Sequence, residues 1–182
     1  MQIITRNFGN RRLAGHIRDA ANFYARELMS KRLCEKLFIE IICKKNDKDF
    51  LESGVAEWTD TVPWPKDFKI TLRKLPKKKW AEYFKVLAHE MVHVKQYARN
   101  EMTSLVTCMV GNKMSQVWHG SRFKLSSVRS PKVHPARKKS LITQGNGSDY
   151  YYHPWEVEAF GLEVGLFQYY REKYSDINPW TK

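Results

Sequence analysis

The sequence predicts one α+β domain, in which a small, mainly antiparallel sheet packs against a long central helix and a second, C-terminal helix. Three features indicate this fold: short stretches rich in β-branched and aromatic residues before residue 75, an apolar stripe at helical spacing over residues 77–99, and a further helical stretch after residue 153. With 42% hydrophobic and 13% aromatic residues in a chain of 182, one core of ordinary size can be buried. We therefore expect a single domain over residues 1–182.

The first half of the chain supplies one helix and three strands. Residues 11–29 carry apolar side chains at three- and four-residue steps, which predicts an amphipathic helix. Strands are predicted over residues 37–42, 55–59 and 67–73, with turn-forming or proline-containing stretches between them. The last of these alternates regularly between apolar and polar residues, so that one of its faces is apolar.

The two helices of the predicted core follow. Over residues 77–99, Trp80, Phe84, Leu87 and Met91 recur at three- and four-residue steps. A second helix is predicted over residues 154–173. Pro154 suits its first position, because the N–H that proline lacks would be unpaired there in any case.

The stretch between these helices is strongly basic. Residues 102–148 contain no Asp or Glu, while Ser, Gly and Pro are frequent among them. This composition predicts an irregular basic insertion on the surface at about residues 103–149. Because the whole chain carries a net charge of +13, nucleic acid is a candidate partner for the basic stretch at 113–139.

His89, Glu90 and His93 form an HExxH motif within the predicted central helix. Residues four apart lie on one face of a helix, one turn apart, so both imidazoles can bind a single Zn²⁺. Glu90 is rotated by about 100° from His89 around the helix axis, so its carboxylate can reach a water on the ion without competing for the ion. The motif therefore predicts a zinc site in which Glu90 is the catalytic base for peptide hydrolysis.

A catalytic zinc site needs a third protein ligand, and the sequence offers three candidates. Glu158 is favoured, because it shares a helix face with two glycines that would let the last helix approach the first one closely. Glu156, on a neighbouring face, is the second candidate, and His119, in the basic stretch, is the third. We expect the ligand set to be His89, His93 and Glu158.

The two motifs together resemble a known class of enzyme. HEMVH at 89–93, followed by PWEVEA at 154–159, resembles the small phage-type metallopeptidases of the zincin fold. The Glu-x-Glu-Ala pattern is similar to that of the ImmA/IrrE-type peptidases. In the wider gluzincin group the ligand glutamate is commonly followed by alanine, so this resemblance points to Glu158. HEMVH and the later His119-Gly120-x-x-Phe123 are also similar to SprT-like proteases, which use a third histidine and include members that act on DNA-bound proteins.

The resemblance covers residues 35–110 and 150–172, and it implies a zincin-like architecture. In that architecture an edge strand of the sheet lies above the helix that carries HExxH, and the substrate would add to this edge as a further strand. Among the predicted strands, residues 67–73 are the best candidate for the edge.

These features predict a zinc-dependent metallopeptidase that hydrolyses peptide bonds in a protein or peptide substrate. The alternative is a DNA-associated SprT-like protease, or a nucleic-acid-binding protein with a zincin-like site. A non-catalytic protein of the same shape is disfavoured, because a structural zinc site has no use for the Glu90 base. Three widely spaced cysteines indicate a reducing cytoplasm, that of the host cell if a phage encodes the protein. The absence of a long apolar run indicates no membrane partner.

Overall fold

The computed structural model describes residues 1–44, 53–60, 64–76, 79–110, 113–125 and 153–174, with the backbone alone described for 103–110, 113–116 and 122–125. The described residues form four helices and seven strands of an α+β fold. In chain order these are β1 (Gln2–Arg6), α1 (Arg11–Leu28), α2 (Lys31–Cys34), β2 (Phe38–Lys44), β3 (Gly54–Trp58), β4 (Asp67–Arg73), α3 (Trp80–Ala98), β5 (Met102–Val110), β6 (Lys113–Trp118), β7 (Ser121–Leu125) and α4 (Pro154–Lys173).

The three long predicted helices are confirmed. Helix α1 begins after Asn10, whose side-chain oxygen accepts hydrogen bonds from the backbone N–H groups of Arg12 and Leu13 at 2.9 and 3.1 Å. Helix α4 begins at Pro154, as expected. None of the helices in the described part of the chain is long and apolar enough to cross a bilayer.

The main sheet has four strands in the order β1-β2-β4-β3 and is mixed. β1 pairs with β2 and β2 with β4 in parallel, and only β3 runs antiparallel to its neighbour β4. The prediction of a mainly antiparallel sheet is therefore wrong for these strands. The sequence patterns predict no strand at residues 2–6, and without β1 the helix α1 cannot be recognised as the crossover that parallel strands require.

Strand β4 lies inside the sheet, between β2 and β3, so the prediction that residues 67–73 form the edge is also wrong. Its apolar residues Phe68, Ile70 and Leu72 are completely buried. The edge on this side is β3, which pairs with β4 from Gly54↔Leu72 to Trp58↔Phe68. Clean alternation identified the inward face of β4, but alternation carries no information about which strand is outermost.

One face of the main sheet forms the core with the helices. The inward residues of β2 and β4 pack against buried side chains of α1, α3 and α4, including Tyr24, Phe84 and Tyr170. The rings of Phe84 and Tyr170 are stacked, with their centroids 5.7 Å apart. Helix α3 is thus held between the sheet and α4, which buries most of its circumference.

A second, three-stranded antiparallel sheet follows α3, with the order β5-β6-β7. The prediction of irregular structure from about residue 103 therefore differs from the structure over these strands, and residues 126–149 lie outside the described part. β5 is rich in β-branched residues, and its strand signal was obscured by the basic composition of the stretch. His119 and Gly120 connect β6 to β7 with positive φ angles of 45° and 77°, as a two-residue hairpin turn requires.

Candidate metal centre

Helix α3 places the HExxH residues inside the protein. His89, Glu90 and His93 are all at least nine-tenths buried, with exposed fractions of 9%, 5% and 8%. Helix α3 packs against α4 on one side and against β3 on another. Two imidazoles and a carboxylate in such surroundings need partners, because burying polar groups without them is costly.

The rings of His89 and His93 point at the same place, as the four-residue spacing predicts. Their Nε2 atoms are 3.2 Å apart. The Glu156 carboxylate of α4 completes the group, with Oε2 at 3.3 Å from Nε2 of His89 and Oε1 at 3.4 Å from Nε2 of His93. Glu156 is itself only 3% exposed. Among the described residues, these three form a cluster that could hold a metal ion.

The other ring nitrogen of each histidine has its own hydrogen-bond partner. Nδ1 of His89 lies 3.1 Å from Oε2 of Glu163, a carboxylate that can only accept when ionised. Nδ1 of His93 lies 2.8 Å from Oε1 of Gln96. Both contacts require a proton on Nδ1. The neutral form of each ring then carries its lone pair on Nε2, which is the form that binds metal ions.

This arrangement fits a tetrahedral ion. Two nitrogen lone pairs and a carboxylate facing one another within 3.4 Å repel, unless a proton or a cation lies between them. Zn²⁺ bound at about 2.0–2.1 Å by a tetrahedral set separates neighbouring ligand atoms by about 3.3–3.4 Å. The separation of the two Nε2 atoms agrees with that value, the two N–O separations involve different oxygens of Glu156, and one ligand atom from each residue lies within 4.8 Å of the other two. Two histidines and one glutamate are also a known donor set of catalytic zinc sites.

The electrostatics of the cluster favour positive charge. Burial by itself lowers the pKa of His89, but the hydrogen bonds that its ring donates to Glu156 and Glu163 and the charge of Glu90 raise the pKa, to about 10. The pKa of His93 is raised as well, because Glu156 and Glu90 outweigh the effect of its burial. Three carboxylates around two imidazoles thus stabilise a cation at this position.

Glu158, which we expected as the third ligand, lies elsewhere. Its Oε1 accepts from Nζ of Lys95 at 2.6 Å, and its Oε2 accepts from Nε2 of Gln96 at 2.9 Å. Burial raises the pKa of Glu158, but these partners lower it below its ordinary value. The structure therefore brings Glu156, and not Glu158, to the two histidines. The expected small-residue face does not form the contact, because no atom of the described residues lies within 4 Å of a Cβ placed at Gly161 or Gly165 of α4.

His119, the other candidate, is a residue of the exposed β6–β7 turn and does not join the cluster. Its backbone N–H donates to the carbonyl oxygen of Glu101 at 2.7 Å, and its ring packs on Trp118. A nucleic-acid partner for the basic stretch at 113–139 stays a prediction, since residues 126–139 lie outside the described part and the side chains of 113–116 and 122–125 are not described.

Glu90 lies beside the edge strand. At Gly54 of β3, an added Cβ would be 2.8 Å from Oε1 of Glu90 and 2.6 Å from Cγ1 of Val86. The carboxylate thus occupies the space between α3 and β3 that a side chain at position 54 would need. A glycine here allows the edge strand to approach the helix closely.

Sequence reasoning missed three residues of the site. Glu163 lies seven residues, or two helical turns, after Glu156, so the same face of α4 carries both. Gln96 lies three residues after His93, which also places it one turn away. Either could have been found once Glu156 was selected. No pattern in the sequence marks Gly54, because its role depends on the packing of β3 against α3.

Comparisons of the chain with protein-family models, with curated proteins and with solved structures give no match. The functional interpretation therefore depends on the geometry of the cluster and on the chemistry of its residues.

Proposed function

We propose that this protein is a zinc-dependent peptidase in which His89, His93 and Glu156 hold the ion and Glu90 is the general base. One observation carries the proposal: the Nε2 atoms of two buried histidines converge on a buried carboxylate, with one ligand atom from each residue within 4.8 Å of the other two. Bound there, Zn²⁺ would supply Lewis acidity toward a carbonyl group and would lower the pKa of a water molecule.

Glu90 is placed for proton transfer by its position on α3. It follows His89 directly, so its side chain leaves the helix on the side of β3 and not on the side of Glu156. A carboxylate there can accept a proton from an attacking water and deliver it to the leaving amine. Its burial at 5% exposure shields this transfer from bulk solvent.

Strand β3 supports a peptide substrate over a small molecule. It is the edge of the main sheet, and its start packs against the α3 turn that carries Glu90. An extended peptide that paired with the outer side of β3, which bears no further strand among the described residues, would run near the α3 turn that carries Glu90. In the zincin-like architecture that the resemblance implies, β3 would take the role that we expected for residues 67–73.

The decisive experiment separates metal binding from catalysis. Purified protein is stripped with a chelator, reconstituted with Zn²⁺ and assayed for bound metal and for cleavage of a mixed peptide library. We expect about one zinc per chain in the wild type and in Glu90→Gln, with cleavage reduced by about 10²–10⁴-fold in that variant.

Glu82→Gln is a matched control, since Glu82 lies on the same helix but is exposed and pairs with Lys79 at 3.3 Å. This variant should cleave like the wild type. A wild-type protein that retains no zinc after reconstitution would contradict the proposal, and so would cleavage that survives in Glu90→Gln.

A further inference from the structure

Gln96 is the centre of a buried polar network behind His93. Its side chain is completely buried. Besides the contact between Oε1 and Nδ1 of His93, its Nε2 donates to the carbonyl oxygen of Trp155 and to Oε2 of Glu158, both at 2.9 Å. One amide therefore connects the second histidine of the motif to the beginning of α4.

These contacts determine which way the amide faces. The Trp155 carbonyl and the Glu158 carboxylate are both acceptors, so the NH₂ group of Gln96 has to face them. Its oxygen then has to face His93, where it accepts the proton on Nδ1. In the neutral His93 ring, the orientation of Gln96 thus places the proton on Nδ1 and leaves Nε2 without one. The same contact holds the ring so that Nε2 faces Glu156.

Glu158 is in turn held by ion pairs. Lys95 is only 8% exposed, and its Nζ lies 2.6 Å from Oε1 of Glu158 and 2.7 Å from Oε2 of Glu101. Arg99 pairs with the other oxygen of Glu101 at 2.9 Å. In this series of ion pairs, the two cations Lys95 and Arg99 balance the two anions Glu101 and Glu158. Charged groups can be buried only when they are paired in this way.

We propose that Gln96 is a positioning residue that fixes the ring orientation and the Nδ1 proton of His93. In this role Glu158 and the ion-paired Lys95 hold Gln96 in its working orientation. Glu158, the residue that resemblance suggested as a ligand, then acts on the metal site through two hydrogen bonds. This inference depends on the proposed function, because it takes His93 to be a metal ligand.

The test measures the metal and the ring proton separately. Gln96→Met keeps the length of the side chain but offers Nδ1 of His93 no acceptor. Loss of such an outer partner lowers metal affinity by about 10–100-fold, so the Kd for Zn²⁺ in a chelator competition should rise by that factor. Glu158→Gln still offers Gln96 an acceptor but weakens the ion pair with Lys95, so this variant should raise the Kd for Zn²⁺ by a smaller factor. Glu82→Gln should leave it unchanged.

Proton NMR of the zinc-loaded protein supplies a readout that is independent of activity. The wild type should show two slowly exchanging imidazole N–H signals, one for each Nδ1. In Gln96→Met the signal of His93 should exchange with water, while that of His89, which donates to Glu163, should persist.

The possible results separate the two proposals. A wild type that binds no Zn²⁺ would contradict the metal site itself. A wild type that binds Zn²⁺, together with a Gln96→Met variant of the same affinity and with both protected signals, would overturn the role of Gln96 alone. If Gln96→Met does not fold, the role of Gln96 is tested with Glu158→Gln instead. An unchanged Kd and unchanged signals in that variant overturn the inference, and a raised Kd with faster exchange at His93 supports it.

Discussion

Replacing Gly54 with alanine tests the close approach between β3 and α3. The added Cβ would lie 2.6 Å from Cγ1 of Val86, 2.8 Å from Oε1 of Glu90 and 3.0 Å from Cγ of Glu90. Carbon atoms in contact are normally about 3.5–4.0 Å apart, so the strand and the helix have to separate by about 1 Å. Val86 cannot avoid the contact by rotation, since a valine in a helix has one strongly preferred rotamer.

Overpacking of this kind costs about 1–3 kcal/mol in the free energy of unfolding. At roughly 3 °C per kcal/mol for a chain of this size, the melting temperature of Gly54→Ala should fall by about 3–9 °C. Because the same movement displaces Glu90, peptide cleavage should fall as well. Thermal unfolding followed by circular dichroism measures the first effect without any substrate.

Gly161→Ala and Gly165→Ala provide matched controls. Both glycines lie within α4, and an added Cβ at either would meet no atom of the described part of the chain within 4 Å. Alanine is a better helix former, so each change should stabilise the protein by about 0.5–1 kcal/mol. If Gly54→Ala proves as stable as the wild type, or gains stability as these controls should, β3 does not pack on α3 as described.

Three further predictions concern the metal and two buried hydroxyl groups. Zn²⁺ at about 1,000 times its Kd should add about 4 kcal/mol to the free energy of unfolding, and Glu156→Ala should abolish this gain when melting is compared with and without a chelator. Tyr24→Phe should leave stability unchanged or raise it by up to about 1 kcal/mol, because the buried Tyr24 hydroxyl has no hydrogen-bond partner within the described ranges; a clear loss in urea unfolding would reveal a missing partner. Tyr83→Phe should instead cost about 1 kcal/mol, since the Tyr83 hydroxyl accepts from the Leu75 N–H at 2.6 Å. Burial raises the pKa of Tyr83 to about 12, so the stability that this residue contributes is complete below its unfolded pKa of about 10 and is lost as the pH rises to 12. Between these two pKa values, the free energy of unfolding should fall less in Tyr83→Phe than in the wild type.

The sequence was most informative where one local pattern decided the structure. The helical period predicted α1, α3 and α4, and the HExxH spacing predicted that His89 and His93 would converge. Both predictions depend on neighbours within two turns of one helix. They needed no knowledge of how the elements pack together.

The sequence was less informative where the answer depended on contacts between distant elements. Glu156 and Glu158 lie two residues apart at the start of the same helix, and only the rotation of α4 against α3 brings one of them to the histidines. The parallel pairing of β1 with β2 likewise depends on where the chain returns to the sheet after α1. Glycine content suggested the contact face of α4, but the observed face is formed by the larger residues Trp155, Phe167 and Tyr170.

The anchoring of Trp155 has a consequence for how an ion would be taken up. Its carbonyl accepts from Gln96, and its ring packs with Met102 and Trp118 of the second sheet, so the residue before Glu156 is fixed on both sides. A carboxylate that is already held in position loses little conformational entropy when it binds a metal ion. We therefore expect the binding of a metal ion to leave the backbone conformation of the protein nearly unchanged.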